Sequence, residues 1–438
     1  MRSLLAILVA LSVSLSAWSQ TPAADDATAR VGELLNSSDY ITLGEELPAL
    51  RANVAKPLLA LADALVAHCE GRFEDSNKAI EAVFEFAPEL GGEVVFGMTN
   101  YALINHLCLE NYAEGKALVG QMLSTLPDDA STDSSREGLQ SLDRWMSALA
   151  KRPKVEVLRP KGDVSIPVER RTIGAGEHLI LKIEAGGLTE DFIFDTGCSH
   201  ANFISRKVAE RLGVEIVADS IVVHGVGSGY AQLGVLPEMR IGDVVIKNPT
   251  FLVAEHIVPE HVKVDGMCDA VLGTHIIRKL GEVRYERNAG RFVLPAKSGE
   301  VVSRNIICDN GSFYLLCQGY GERVLLHFDT GNTKSQLTSR YYNRFKEHVE
   351  AEGGEVERSR SGGFGGVTWC DVRVMPKVEF LVAGKTLRLK DVAVNMPTEY
   401  EDGTPFVESF DGSAGVDLLT AAESVVFDLN RMYFRIYK

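Results

Sequence analysis

The sequence predicts a multidomain chain of the α plus mainly β class, with an N-terminal helical-hairpin domain followed by two similar all-β halves. From about residue 23 to 149, Ala and Leu are abundant and apolar residues recur every three or four positions, the period of amphipathic helices. Beyond Pro153 this period stops and β-branched alternation begins. In that second region one series of motifs occurs twice in the same order, which indicates a duplicated β unit.

The overall composition indicates a folded protein with more than one domain. The chain has 438 residues, more than a single domain usually has, and 45% of them are hydrophobic, enough to form cores. Its 45 Lys and Arg against 60 Asp and Glu give a formal net charge of −15. Because a polyanion would meet net like charge and no basic run is present, we expect no nucleic-acid partner.

The first twenty residues have the pattern of an export signal. Arg2 provides a positive start, residues 4–15 are apolar apart from two serines, and Ala17-Trp18-Ser19 supplies small residues at a cleavage site. We expect cleavage near Ser19/Gln20 and a periplasmic or secreted protein, because the apolar run is too short to span a bilayer comfortably. No later stretch is long and apolar enough to span, so no stable membrane span is expected.

Changes in composition divide the chain into four predicted segments. The charged run Lys151-Arg152-Pro153-Lys154, broken by its proline, marks the boundary between helical and β patterns. The predicted segments are a signal peptide at 1–19, a helical domain at 20–152, and two β halves at 153–298 and 299–438.

The helical region contains a weak internal repeat. Cys69-Glu70-Gly71-Arg72-Phe73 is echoed by Cys108-Leu109-Glu110-Asn111-Tyr112, and Ser38-Asp39-Tyr40 is read as a third copy. Repeated helix pairs with an aromatic residue at the corner are similar to tetratricopeptide-type hairpins. Such a domain can bind a peptide partner, act as a propeptide or inhibitor, or serve as a spacer, and the sequence leaves these roles open.

Two Asp-Thr-Gly triplets mark the two β halves. Asp195-Thr196-Gly197 follows the apolar run Phe192-Ile193-Phe194, and Asp329-Thr330-Gly331 follows the apolar run 325–328. Each triplet precedes a polar turn and a further apolar strand pattern. A glycine-rich segment and then a glycine in an apolar turn follow each triplet; they are 225–229 and Gly273 in the first half, and 362–366 and Gly415 in the second.

This duplicated series resembles the retropepsin-like and pepsin-like aspartic protease superfamily, over residues from about 168 to 438. In that superfamily two small β units form a pseudo-twofold pair, and the short halves here look like retroviral-type monomers fused in one chain. The resemblance implies a bilobal acid-protease fold with Asp195 and Asp329 as the catalytic residues. It also implies a peptide or protein substrate and an endopeptidase activity.

The resemblance further implies roles for the residues around the two aspartates. Thr196 and Thr330 would cross-brace the loops beneath them, and Gly197 and Gly331 would let the backbone pass close to the carboxylates. The glycine-rich hairpins would be two flaps that close over the substrate. The flap candidates are Gly225, Val226, Gly227, Ser228, Gly363, Phe364, Gly365 and Gly366. Tyr230 is a weaker candidate for a flap tyrosine.

A pair of carboxyls can supply the chemistry that peptide hydrolysis needs. Two like charges at close range do not both ionise easily, so the pair holds one proton over a range of pH. One member then activates a water as general base while the other protonates the carbonyl oxygen as general acid. Because the titrations belong to the pair, neither role is assigned to one aspartate from the sequence. We expect no metal and no organic cofactor.

Three departures from the superfamily pattern support an alternative function. Cys198 and Asn332 stand where Ser or Ala is usual, so a hydrogen bond that supports each aspartate is expected to be missing, and Ser413-Ala414 replaces an apolar pair. The alternative is an inactive protease-like protein that binds a peptide or a cell-envelope partner. A Cys198 nucleophile is less favoured, because only His200 is near it in sequence.

The seven cysteines do not define a disulfide framework. Their number is odd, their spacing is loose, and no CxxC pair occurs. Buried free thiols are at least as well supported as disulfides, although export would permit the latter.

Overall fold

The computed structural model describes residues 22–127, 132–174, 176–259, 263–399, 406 and 408–437. The predicted signal segment 1–19 lies outside the described residues. The chain forms two compact units. One comprises Met1–Arg152 with Cys308–Gly311, and the other comprises Pro153–Ile307 with Ser312–Lys438.

The first unit is helical. The helices described in it are α1 (Pro22–Asn36), α2 (Tyr40–Leu50), α3 (Lys56–Cys69), α4 (Phe73–Phe84), α5 (Ala87–Leu90), α6 (Gly92–Cys108), α7 (Tyr112–Thr125) and α8 (Asp133–Leu149). Pro57 lies in the first turn of α3, where its missing N–H costs no helical hydrogen bond. Ala and Leu side chains from α1 to α6 bury one another in a common core, as the helical period predicts.

Three corners of this unit repeat one backbone geometry. Two residues after the end of the preceding helix, the backbone has a positive φ, at Ser38 (54°), Gly71 (72°) and Glu110 (55°). Two residues later an aromatic side chain begins the next helix; these residues are Tyr40, Phe73 and Tyr112. The left-handed residue closes each helix because it turns the chain back toward the preceding carbonyls. The predicted helical hairpins are confirmed, and their repeat lies in these corners.

The second unit contains both β halves. The elements of the first half are β1 (Glu156–Leu158), β2 (Val164–Pro167), β3 (Glu169–Ile173), β4 (Gly176–Ala185), β5 (Leu188–Phe194), β6 (Asn202–Ser205), α9 (Arg206–Leu212), β7 (Glu215–His224), β8 (Ser228–Val235), β9 (Glu238–Ile241), β10 (Val244–Lys247), β11 (Thr250–Ala254), β12 (Ala270–Leu272), α10 (Thr274–Ile277), β13 (Val283–Glu286) and β14 (Arg291–Leu294). Ser205 caps α9 by accepting from the Val208 N–H, and Gly213 at φ 73° ends it.

The second half repeats this order. Its elements are β15 (Ile306–Asp309), β16 (Ser312–Gly319), β17 (Glu322–Phe328), β18 (Gln336–Leu337), α11 (Ser339–Arg344), α12 (Lys346–Glu352), β19 (Val356–Gly363), β20 (Gly366–Val382), β21 (Lys385–Asn395), β22 (Gly412–Ala414), α13 (Val416–Thr420), β23 (Ser424–Asp428) and β24 (Tyr433–Ile436). Buried and more exposed residues alternate along β16, as expected for a strand with one face on the core.

The strand pairings of the two halves correspond. In the first half β12 is parallel to β5 and antiparallel to β6. In the second half β22 is parallel to β17 and antiparallel to β18. The strand that precedes each Asp-Thr-Gly triplet is therefore central in its sheet, with a short strand beside it that leads to Gly273 or Gly415.

A five-stranded sheet joins the halves, in the order β2-β14-β13-β23-β24. Its central antiparallel pair is β13 with β23, in which Val283 lies opposite Phe427. Phe427 contacts both Phe194, with ring centroids 6.2 Å apart, and Phe328, at 5.3 Å. These two phenylalanines immediately precede the two aspartates, so one shared core positions both triplets.

Two further observations concern the described part of the chain. It contains no helix long and apolar enough to cross a membrane. The seven cysteines, which all belong to the described residues, form no disulfide with one another.

Candidate active site

Each Asp-Thr-Gly triplet begins where a central strand ends. Asp195 follows the last residue of β5, and its N–H donates to the Leu272 carbonyl at 3.0 Å. Asp329 follows the last residue of β17, and its N–H donates to the Ala414 carbonyl at 3.0 Å. The same backbone bond thus fixes both aspartates against the neighbouring short strand.

Thr196 and Thr330 connect the two triplets through four hydrogen bonds. The Thr196 N–H donates to Thr330 Oγ1 at 3.0 Å, and the Thr330 N–H donates to Thr196 Oγ1 at 3.1 Å. The Thr196 hydroxyl donates to the Phe328 carbonyl at 2.6 Å, and the Thr330 hydroxyl to the Phe194 carbonyl at 2.8 Å. Both threonines are fully buried, so each bond satisfies a group that would otherwise be desolvated without a partner.

Backbone and side-chain donors hold the two carboxylates. Asp195 Oδ1 accepts from the Gly197 N–H at 2.7 Å and from the Cys198 N–H at 3.2 Å. Asp329 Oδ1 accepts from the Gly331 N–H at 3.0 Å, and its Oδ2 accepts from Asn332 Nδ2 at 2.7 Å. The expectation that Asn332 leaves its aspartate without support was therefore wrong, because the amide supplies the donor that a serine hydroxyl would supply.

The two carboxyls lie within hydrogen-bonding reach of each other. Each one also occupies the space beside the glycine of the opposite triplet. A Cβ on Gly331 would lie 2.5 Å from Asp195 Oδ2, and a Cβ on Gly197 would collide with the Asp329 carboxylate. Only glycine permits this approach at either position.

The surroundings of the pair favour a retained proton. Burial, followed by the negative charge of the Asp329 carboxyl, raises the pKa of Asp195 to about 7. Burial also raises the pKa of Asp329, against hydrogen bonds from the Asp195 side chain and from the backbone N–H groups of Gly331 and Asn332, which lower it. The Asp329 side chain keeps 19% of its exposure, so solvent reaches it although protein surrounds it on most sides.

Two hairpins meet at the positions of the predicted flaps. Gly225, Val226 and Gly227 form the tip between β7 and β8, while Phe364 and Gly365 form the tip between β19 and β20. The Gly227 N–H donates to the Phe364 carbonyl at 3.0 Å, so the two tips touch. The other three predicted residues lie beside the tips; they are Ser228, the first residue of β8, Gly363, the last of β19, and Gly366, the first of β20.

The second tip also contacts strand β6 of the first half. The Phe364 ring packs edge-on against Phe203, with centroids 4.9 Å apart, and Phe203 lies on β6 after the first triplet. Tyr230 lies on β8 and is 61% exposed. Phe364 is therefore an aromatic residue that connects the second hairpin tip with strand β6.

The surroundings of Cys198 disfavour a role as a nucleophile. Its Sγ contacts the Ala201 carbonyl at 3.4 Å, and burial raises the pKa of its thiol well above the ordinary value. A thiol held as the neutral form is a poor nucleophile. The described residues also contain no group of three or more His, Cys, Asp or Glu side chains that could hold a metal ion.

Sequence reasoning missed one neighbour of the aspartates. His327 Nδ1 lies 3.8 Å from Asp329 Oδ2, beyond hydrogen-bond distance but in contact with the carboxylate. Burial lowers the pKa of His327 to about 4, so its ring is neutral at higher pH. Alternation along β17 could have found it, because residues two apart on a strand share a face.

Comparison with known proteins agrees with this geometry. Residues 181–276 match the family model described as aspartyl protease, a range that includes the first triplet, the first hairpin and Gly273. No curated protein is matched by the chain. The resemblance to the retropepsin-like aspartic protease superfamily and the predicted fold class, helical hairpins followed by two acid-protease halves, are confirmed.

Solved structures of similar proteins include one protease and two seed globulins. A retropepsin-like aspartic protease from Rickettsia conorii is 17% identical with a TM-score of 0.22, covering 32% of this chain and 94% of its own. Conglutin gamma from lupine seeds is 11% identical with a TM-score of 0.37, covering 63% of this chain and 95% of its own. The basic 7S globulin from soybean is 11% identical with a TM-score of 0.37, covering 63% and 94%.

Proposed function

We propose that this chain is an exported aspartic endopeptidase that hydrolyses peptide bonds with a water activated between Asp195 and Asp329. The observation that carries the proposal is the pair itself: two carboxyls within hydrogen-bonding reach, one from each half, held by donors and cross-braced from beneath. The ionised carboxyl takes a proton from the water, and the protonated carboxyl gives one to the carbonyl oxygen of the substrate.

The remaining groups of the site support this chemistry in distinct ways. The glycine N–H groups and Asn332 fix the orientation of the carboxylates, so that little reorganisation is needed during the reaction. The touching hairpin tips are suited to cover a bound peptide and exclude bulk water. The proposed reaction uses no metal and no organic cofactor.

The alternative of an inactive binding protein has less support. Its motivation was Cys198, Asn332 and Ser413-Ala414 together with the repeat-like helical region. Of these, Asn332 donates its side-chain amide to Asp329, while Cys198 supports Asp195 through its backbone N–H. Carboxyls too far apart to share one water would have favoured this alternative, whereas these two lie within hydrogen-bonding reach. A binding role is therefore an outcome of the test below.

The decisive experiment compares the wild type with Asp195→Asn and Asp329→Asn on a mixed peptide library from acid to neutral pH. The proposal expects cleavage by the wild type, inhibition by a statine-type transition-state mimic, and loss of cleavage in both variants. Asp243→Asn is a matched control, because Asp243 is an exposed aspartate of the same unit, in the turn between β9 and β10. Cleavage that survives both site substitutions would refute the proposal, and peptide binding without cleavage would favour the alternative.

Export is a separate part of the proposal and has its own test. It rests on the signal pattern of the first twenty residues and on the predicted cleavage near Ser19/Gln20. N-terminal sequencing of the protein from an exporting bacterial host should give a chain that starts near Gln20 outside the cytoplasm. An uncleaved chain retained in the cytoplasm would contradict it.

A further inference from the structure

The donors around the two carboxylates differ between the halves. On Asp195 both donors, the N–H groups of Gly197 and Cys198, converge on Oδ1. Among the described residues, no N–H group donates to its Oδ2. On Asp329 the donors are divided, with the Gly331 N–H on Oδ1 and Asn332 Nδ2 on Oδ2.

This division decides which carboxyl accommodates a proton. A carboxylic acid needs one oxygen that can carry O–H and donate it outward. Asp195 Oδ2 is available for that proton. On Asp329 each oxygen already accepts an N–H, and a protonated oxygen is a weaker acceptor than a carboxylate oxygen, so protonation there would weaken one of these hydrogen bonds.

The origin of the asymmetry is two sequence differences at matching positions. Asn332 of the second half corresponds to Cys198 of the first, whose Sγ contacts the Ala201 carbonyl instead of its aspartate. His327 corresponds to Ile193, which has no polar side-chain atom. The strand registers support that match: Ile193 lies opposite Ile180 and Val271, and His327 lies opposite Tyr314 and Ser413.

His327 adds a second polar group on the Asp329 side. Its Nδ1 faces Asp329 Oδ2 at 3.8 Å. An N–H directed at a carboxylate is favoured over a lone pair there, so the neutral ring presents the positive end of its N–H dipole to Asp329. Its Nε2 is buried without a partner among the described residues, so nothing on that side competes for the Nδ1 proton.

We propose that the shared proton resides on Asp195 and that Asp329 is the ionised member, with Asn332 and His327 as the positioning residues that impose this assignment. Within the proposed peptidase, on which this assignment of roles rests, Asp329 takes the proton from the water and Asp195 protonates the substrate carbonyl oxygen. After the attack Asp329 carries the proton removed from the water, and Asp195 has given its own to the tetrahedral intermediate. The net charge of the pair is unchanged.

Two titratable groups of the described residues lie against the pair. They are His327 on β17, two residues before Asp329, and Cys198 in the first triplet loop, whose thiol is held neutral by burial. The expected order of titration therefore depends on the two carboxyls, the donors on them and the His327 ring.

The test measures each carboxyl alone and needs no activity. In the full chain, Asp195→Asn leaves Asp329 to titrate and Asp329→Asn leaves Asp195, and ¹³C-carboxyl NMR of labelled aspartate follows each. We expect the remaining Asp329 to titrate at least about one pH unit below the remaining Asp195. Equal values, or the opposite order, would overturn the proposal.

Second substitutions test the positioning residues. In the Asp195→Asn background, Asn332→Ala and His327→Ile should each raise the pKa of Asp329, because each removes a group that stabilises the carboxylate. In the Asp329→Asn background, Cys198→Ala is the matched control and should leave Asp195 unchanged, since the Cys198 backbone N–H remains. An Asp329 titration that neither Asn332→Ala nor His327→Ile moves would refute their role.

The unfolding temperatures of the two single variants test the same assignment without NMR titration of either aspartate. The amide introduced by Asp195→Asn would mimic the neutral acid and donate to Asp329, so this variant should unfold at or above the wild-type temperature at neutral pH. Asp329→Asn would place an amide N–H against Asn332 or Gly331, so it should unfold several degrees lower. The reverse order would contradict the assignment. If the peptidase activity fails but these differences hold, only the proposed function is lost.

Discussion

Thr196 and Thr330 each donate a backbone N–H to the hydroxyl of the other, at 3.0 and 3.1 Å, beneath the two carboxylates. Each hydroxyl in turn donates to a carbonyl across the interface of the halves, on Phe328 and Phe194. This reciprocal arrangement places two chain segments that are distant in sequence in register. The hydrogen bonds beneath the two carboxylates therefore set the distance between them.

Removing either hydroxyl should therefore affect stability and catalysis together. Thr196→Val leaves the Thr330 N–H and the Phe328 carbonyl buried without partners, which we expect to cost about 2–4 kcal/mol of unfolding free energy. Urea denaturation measures this cost. Thr196→Ser keeps the hydroxyl and should retain most of the stability. A Val variant as stable as the Ser variant would contradict this role of the hydroxyl.

The glycines of the triplets lead to a prediction about activity alone. Gly331→Ala places a methyl group 2.5 Å from Asp195 Oδ2, which must move the carboxyl out of the pair. We expect kcat/KM on a peptide substrate to fall at least about a hundredfold, as small displacements of reacting groups do. Gly162→Ala is the control, since a methyl group there meets no atom within 4 Å. A fully active Gly331→Ala enzyme would show that the carboxyl need not stay in place.

The hairpin tips should contribute to substrate retention. Gly365 has a φ of 81°, and a Cβ there would approach the Gly227 carbonyl carbon to 2.6 Å, so Gly365→Ala should separate the tips. The expected result is a KM raised several-fold with a folded, stable protein, because the tips close over substrate and not over the core. Gly362→Ala, in which the nearest atom is Val367 Cγ1 at an ordinary 3.5 Å, should behave as the wild type. Equal KM values in the two variants would exclude a role for tip contact.

The sequence predicted the elements of the site better than their contacts. The two triplets, the hairpins and the helical domain could be predicted. The duplication repeats the same motifs in the same order, and helices space their apolar residues regularly. The hydrogen bond from Asn332 was not predicted. From the sequence, support for Asp329 was expected only from a serine at this position, but an amide N–H can reach the same oxygen as a hydroxyl. The joining sheet was also not predicted, since the pairing of β13 with β23 depends on strands distant in sequence.

The pH dependence of stability provides a last prediction that does not depend on any substrate. The carboxyl pair has pKa values raised by burial above the ordinary aspartate value of 3.8. The folded state therefore binds more protons than the unfolded state at pH values between 3.8 and the raised pKa of the folded state. The stability that retained protons provide is fully present below that pH and is lost as pH rises through the folded pKa, near 7 for Asp195.

Asp195→Asn removes one of these titrations and should weaken the loss of stability with rising pH. Relative to the wild type, its unfolding free energy should rise between about pH 5 and pH 8, by about 2 kcal/mol, because the amide stays neutral where the wild-type pair must ionise. Urea denaturation at both pH values measures the difference, and buried groups elsewhere, such as His68, cancel in the comparison. Asp243→Asn, at an exposed position, should follow the wild type at both. If the advantage of Asp195→Asn shrank as the pH rose, the pair would not hold a proton in the folded protein.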